Sequence, residues 1–281
     1  MKNIIISLPA MLIILITACT LQQGNNETVD NNKWLTKIDS LEKEGFNITD
    51  YHAHLKGGLT IDELILYSEK TGIDYGVAIN CGKGFPVHND SALSAWYHSM
   101  KEHPVYLAVQ AEGREWLNLV SRDTVALFDY VFTDAMTFTD WEGRRVRLWI
   151  KDEVFIDDTG KFMEYYVDQI EKIVSTEPID IYVNPTYLPD TLKKDYDALW
   201  TPERMDRVVK VLKDNKVALE INSKTRLPSP AFIKKAKMAG VKFTMGTNNR
   251  NRDLGYLAYG LQMIDECELQ PDDFLVIEKS R

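Results

Sequence analysis

The 281-residue chain predicts a closed (β/α) barrel, and three observations carry that expectation. From Phe46 onward, short β-rich runs alternate with amphipathic helices, a pattern that demands parallel pairing through right-handed crossovers. Nearly every run ends in a polar or charged residue. A barrel gathers all such ends on one rim, where active sites of this architecture sit, whereas an open sheet gathers only those beside its switch point. Finally, no glycine-rich dinucleotide fingerprint follows the first run.

The elements follow in order. The opening MKNIIISLPAMLIILITAC joins a positive start at Lys2 to an apolar run from Ile4 to Ile16, too short for an ordinary membrane span. It ends in Ile16-Thr17-Ala18-Cys19, which resembles a bacterial lipobox. The resemblance implies a signal peptide over residues 1–18, lipid on Cys19, and a place in the bacterial cell envelope, outside the cytoplasm, with the lipid as the sole membrane contact. The polar stretch TLQQGNNETVDNN reads as a flexible tether within residues 19–45. The barrel domain is then expected over 46–281, and about 240 residues suffice for one large core. A net charge of −9 speaks against nucleic acid and against a basic membrane-binding face. Cys81 and Cys267 survive processing, and their wide separation gives no sign of pairing.

Seven strands are expected, in FNITDYHAH, DYGVAIN, VYLAVQAE, DYVFTDA, IDIYVNP, VALEIN and VKFTMGTN. Their terminal polar residues are His52 and His54, Asn80, Glu112, Asp134, Asn184, Glu220 with Asn222, and Asn248. Helix signals separate them. Thr60-Ile61-Asp62-Glu63 is a capping-box sequence, Thr201-Pro202 places an N-cap before a first-turn proline, and Ser229 opens a helix that Gly240 stops. RDLGYLAYGLQMIDECE closes the series with apolar residues at helical spacing.

Strand alternation places Asp50, His52 and His54 on one face. An H-x-H pair there suits either one shared ion or two hydrogen-bonded imidazoles without metal. With DYHAH, the glutamate closing the third run, FDYVFTDAM, IDIYVNP, VALEIN and AGVKFTMGTNNR in this order, the chain resembles the PHP superfamily, metal-dependent hydrolases of the polymerase and histidinol phosphatase type, over about Phe46 to Leu269. The resemblance implies a distorted seven-stranded parallel barrel, with His52 and His54 as the first metal ligands and Glu112 as a bridging carboxylate. Later ligands are replaced. Asn80-Cys81 stands for an aspartate-histidine pair, Met136 and Asn184 stand for histidines, and Asn248-Asn249-Arg250 stands for the closing aspartate-x-histidine. All five histidines lie at or before His103. One divalent ion, zinc, manganese or iron, is therefore expected on His52, His54 and Glu112, and a three-ion cluster is not.

Asp134 and Glu220 are candidate catalytic groups, or alternatively carboxylates buried against a basic partner. Asn80, Asn184, Asn222, Asn248 and Arg250 are candidate contacts to a small polar substrate, carbohydrate-derived or phosphorylated; each asparagine alone also suits a turn after a strand. The long MTFTDWEGRRVRLWIKDEVFIDD connection is a lid or a small hairpin with solvent-facing arginines, and NCGKGFPVHND carries His88 toward or away from the mouth. Three functions fit: a metal-assisted hydrolase, a binding lipoprotein that has lost catalysis, or a metal-independent lyase or isomerase.

Overall fold

A computed structural model describes residues 35–279. The expected signal peptide, Cys19 and most of the expected tether lie outside the described residues. Seven strands close a parallel barrel: β1 (Thr49–Ala53), β2 (Asp74–Gly82), β3 (Tyr106–Glu112), β4 (Tyr130–Thr133), β7 (Ile181–Tyr182), β8 (Ala218–Asn222) and β9 (Phe243–Gly246). Asp50 pairs with Met245 to complete the ring. Each of the seven expected strands is present. Between β4 and β7, β5 (Thr137–Thr139) and β6 (Arg145–Arg147) form a separate antiparallel hairpin, as one reading of that connection foresaw.

The helices begin and end where local chemistry directs. In α2 (Ile61–Thr71), the Thr60 side chain accepts from the Glu63 amide while Glu63 accepts from that of Thr60, and Gly72 ends the helix at φ 74°. α3 (Asp90–Met100) is capped by Asn89, and α4 (Arg122–Val125) is one turn. α5 (Thr159–Thr176) and α6 (Tyr196–Leu199) precede α7 (Pro202–Asn215), which starts on the Thr201 cap with proline in its first turn. α8 (Pro230–Ala239) runs from the Ser229 cap to Gly240 at φ 80°. α9 covers Ala258–Glu266, shorter than the periodicity suggested, because residues 252–257 form a loop in which Gly255 has φ 72°. Among the described residues, no helix is long and apolar enough to cross a membrane.

One boundary differs from expectation. Residues 35–43 form a helix, α1, rather than tether: Ile38 and Leu41 are buried in the core, and Lys37 Nζ meets Asp265 at 2.7 Å. At the other terminus, Leu275 N donates to Phe243 O at 2.8 Å, and Ile277 joins the interior cluster of Tyr51, Tyr130 and Phe132. The tail thus stops the end of the barrel opposite the site.

The interior is filled by Tyr51, Ala78, Ala108, Tyr130, Phe132, Ile181, Val183 and Ala218, while the larger apolar cluster lies between strands and helices. Large rings need small neighbours. Tyr130 Oη donates to Tyr51 O at 2.6 Å across the barrel, and a Cβ at Gly76 would stand 1.8 Å from that hydroxyl. Gly76→Ala is accordingly expected to cost about 1–3 kcal/mol, and combining it with Tyr130→Phe should restore part of the loss. Thermal melts of the two single variants and the double variant check this; a Gly76→Ala protein as stable as the parent contradicts it.

Candidate functional site

The mouth is built by β1. Its register with β2 slips between Asp50 and Ala53, so a bulge breaks the alternation. Asp50, His52 and His54 consequently do not form the simple row expected. Tyr51 and His52 both face the interior, with the His52 ring centroid 4.6 Å from that of Phe132. Asp50, fully buried, instead accepts from Thr247 Oγ1 at 2.5 Å, from Thr247 N at 3.1 Å and from His52 N at 3.0 Å, pinning β1 to the end of β9.

Both imidazoles are oriented the same way. His52 Nδ1 meets Glu220 Oε1 at 2.6 Å, and His54 Nδ1 meets Ala78 O at 3.0 Å. Each acceptor requires the proton on Nδ1, which leaves Nε2 with a free lone pair. Both Nε2 atoms are buried and have no hydrogen-bond partner among the described residues. Burial holds His54 well below the usual histidine range, with His52 and Lys56 adding to the effect; Gln110 lies near enough to oppose it, though no hydrogen bond reaches Nε2. The ring centroids stand 5.3 Å apart.

The supports come from remote strands. Asn249 clamps His54 by accepting from its amide at 2.7 Å and donating to its carbonyl at 2.8 Å. Glu220 is held by the Asn184 amide at 2.6 Å and by Asn222 Nδ2 at 3.1 Å. Asn184 Nδ2 donates to Asp134 at 3.0 Å, and its Oδ1 accepts from Asn248 at 3.2 Å and Asn222 at 3.3 Å. Asn184 and Asn248 have φ of 46° and 47°, backbone that asparagine tolerates better than most side chains. The asparagines do converge, but Asn184 and Asn222 commit their amides to Glu220, Asp134 and each other rather than offering them to a substrate.

Glu112 lies across the mouth, accepting from Asn80 Nδ2 at 2.5 Å. Burial, reinforced by the Asp134 charge, pushes its carboxyl up to about 7 against Asn80, Lys56 and His52. Asp134 is raised as well, chiefly by burial. The expected trio of His52, His54 and Glu112 is not assembled: among the described residues, no three His, Cys, Asp or Glu side chains come together as a metal-binding group. Two imidazoles fit an ion; the described residues bring no third His, Cys, Asp or Glu side chain beside them.

At the rim, burial lowers Lys56 from the usual lysine range, with Glu112 opposing and the nearby Arg250 and Lys224 adding to the effect. A cavity of 350 Å³ opens beside His54, lined also by Lys56, Asn80, Phe85 and Trp96. Of these supports, Asn249, Lys56 and Gln110 escaped the sequence reading. Asn249 looked like the spacer of a lost ligand pair, and only the closure of the barrel places it on His54. His88 is exposed on its loop, with Nδ1 3.1 Å from Phe85 O, and takes no part. Arg144 in the hairpin loop pairs with Asp140 at 2.7 Å, and Arg147 on β6 pairs with Glu153. Cys81 and Cys267 are free and buried.

No family model and no curated protein matches the sequence. Among solved structures, the chain is similar to histidinol phosphate phosphatase from Lactococcus lactis subsp. lactis Il1403, crystallised with zinc, L-histidinol and phosphate. The TM-score is 0.60 at 12% identity, over 83% of this chain and 100% of that one. The likeness is one of fold. A citrate synthase, SbnG, covers 80% of this chain and 94% of its own at 14% identity, and an HpcH/HpaI aldolase from Desulfitobacterium hafniense DCB-2 covers 81% and 96% at 12%; both have TM-scores of 0.36, too low to carry an argument.

The raised Glu112 sets a pH dependence. The folded chain binds this proton more tightly than the unfolded one, so stability falls as pH rises from about 4.5 to about 7. His54 has the opposite slope, losing stability as pH falls below about 6.5. Glu112→Gln, in metal-free protein, is expected to be more stable than the parent near pH 8 by on the order of 1–3 kcal/mol and equal to it near pH 4. Urea unfolding at the two pH values checks this, and a variant weaker at the higher pH contradicts it.

Proposed function

We propose that the protein is a metal-assisted hydrolase of the PHP type acting on a small polar substrate, phosphorylated or carbohydrate-derived. The observation that carries this reading is the pair of buried, unpartnered Nε2 atoms, each freed by a hydrogen bond at its own Nδ1. An imidazole backed at one nitrogen by a carboxylate or carbonyl is the usual arrangement of a metal-ligating histidine. His52 and His54 would hold one divalent ion, which when bound polarises a substrate oxygen and makes hydroxide accessible near neutral pH. The chain's own groups do the rest. Glu220 keeps the His52 ring in its tautomer, Asn249 holds the His54 backbone, and Asn80 directs one Glu112 oxygen. With its carboxyl near 7, Glu112 is divided between acid and base at neutral pH, suited to accept or return a proton at Oε2 while Asp134 adds negative charge beside it. Lipid on Cys19 would tether the enzyme outside the cytoplasm.

A second reading, acid–base chemistry without metal, is favoured by the same Glu112 and by the want of a three-ligand group among the described residues. Metal titration of the purified domain separates the two. The hydrolase reading expects one zinc or manganese per chain, abolished in His52→Ala/His54→Ala and weakened about 10–100-fold in Glu220→Gln. Uptake unchanged by the double substitution, or no uptake by the parent chain, rejects it.

Gly246 supplies a separate check. A Cβ there would lie 2.1 Å from Glu220 Oε1 and 2.8 Å from His52 Cβ, so Gly246→Ala should part the pair and lower metal affinity on a folded barrel. Circular dichroism with the same titration reads both, and undiminished affinity contradicts the role given to Glu220.

A further inference from the structure

A cleft of 710 Å³ lies beside the mouth, between the loop that follows β7, the loop that follows β8, and α9. Its volume is that of a small-molecule site. The aromatic walls are fixed. Tyr196 Oη contacts Thr186 Oγ1 at 2.6 Å and accepts from the Ser229 amide at 3.2 Å, and Tyr259 Oη donates to Pro228 O at 2.5 Å. Its charge is the reverse of the chain's. Arg226 stands 4.8 Å over the Tyr259 ring and Lys193 stands 5.1 Å over Tyr187, both contributing to the lining with Lys224. Among the described lining residues only Glu266 carries a negative charge, and its Oε2 accepts from Gln262 Nε2 at 3.1 Å. Asp190 pairs with Lys193 at 2.6 Å from outside the lining. With Lys193 held by Asp190, Lys224 and Arg226 face one lining carboxylate, and in a protein of net charge −9 this basic excess favours an anion in the cleft.

One further feature ties the cleft to the mouth. Thr225 donates through both its amide and its hydroxyl to Asn222 Oδ1, each at 3.0 Å, and Asn222 in turn holds Glu220. The cleft lining is therefore continuous with the support of His52. The pinned tyrosine rings suit the face of a small ring such as a sugar's, and the guanidinium and ammonium groups suit its acid group.

The geometry points to this cleft as the subsite for the anionic part of a sugar acid or sugar phosphate whose reacting end lies at His52 and His54. It rests on the proposed hydrolase only for where the reacting end lies, since the cleft needs no metal to bind. Calorimetry with glucuronate, glucose 6-phosphate and glucose tests it on the parent protein, on Lys193→Ala/Arg226→Ala, and on EDTA-treated parent. At least one acid probe is expected to bind the parent about tenfold tighter than glucose, and the preferred probe assigns the anion as carboxylate or phosphate. The double alanine variant, whose replaced side chains are on the surface, should lose about tenfold, and EDTA should leave binding unchanged. The inference is overturned if neither acid outbinds glucose, if the variant binds like the parent, or if EDTA abolishes binding. Metal uptake is measured separately, so its failure would sink the hydrolase reading without touching this result.

Discussion

The hydrogen bond between His52 Nδ1 and Glu220, 168 residues apart in sequence, is the constraint on which the site depends. It exists only because β1 and β8 both flank β9 in a closed ring, and because Gly246 leaves room for it. Both groups are almost wholly buried, so neither exchanges its partner for water at small cost. Glu220 is in turn satisfied by the Asn184 amide and the Asn222 side chain. A buried polar pair with its remaining capacity filled has one geometry. That geometry directs His52 Nε2, which has no partner among the described residues, and His54 is directed in parallel by Ala78 and Asn249.

The replacement of expected ligands by asparagine takes on a physical sense in this light. Asn184 and Asn222 carry no charge, yet they tie Asp134, Glu220 and Thr225 into one network that a cluster of acids or imidazoles could not form without counterions. The mouth therefore contains two oriented imidazoles, a raised pair of acids at Glu112 and Asp134, and a basic rim. Among the described residues it offers fewer ligands than a multi-ion centre needs.

Much of this was legible in the sequence because it depends on short-range rules. Strand alternation, the Thr60 capping box, the Thr201 and Ser229 caps and the Gly240 stop are read from neighbouring residues, and the polar strand ends made a barrel preferable to an open sheet. What stayed hidden depends on registration between distant segments. The bulge at Tyr51 and His52, which turned Asp50 toward Thr247, arises from pairing with β2. The hold of Asn249 on His54 and the plugging of the barrel by Ile277 likewise require partners nearly two hundred residues away or more. Helix α1 was mistaken for tether because its two buried anchors, Ile38 and Leu41, sit among exposed polar residues.

The tautomers of His52 and His54 bear most directly on the central claim. A long-range proton–nitrogen correlation spectrum of metal-free protein with labelled histidine reports which ring nitrogen holds the proton, with single histidine substitutions assigning the signals. Both rings should carry a proton at Nδ1 and none at Nε2, and both Nε2 resonances should move when zinc is added. A proton on Nε2 of either ring, in protein whose fold is intact, would contradict the account.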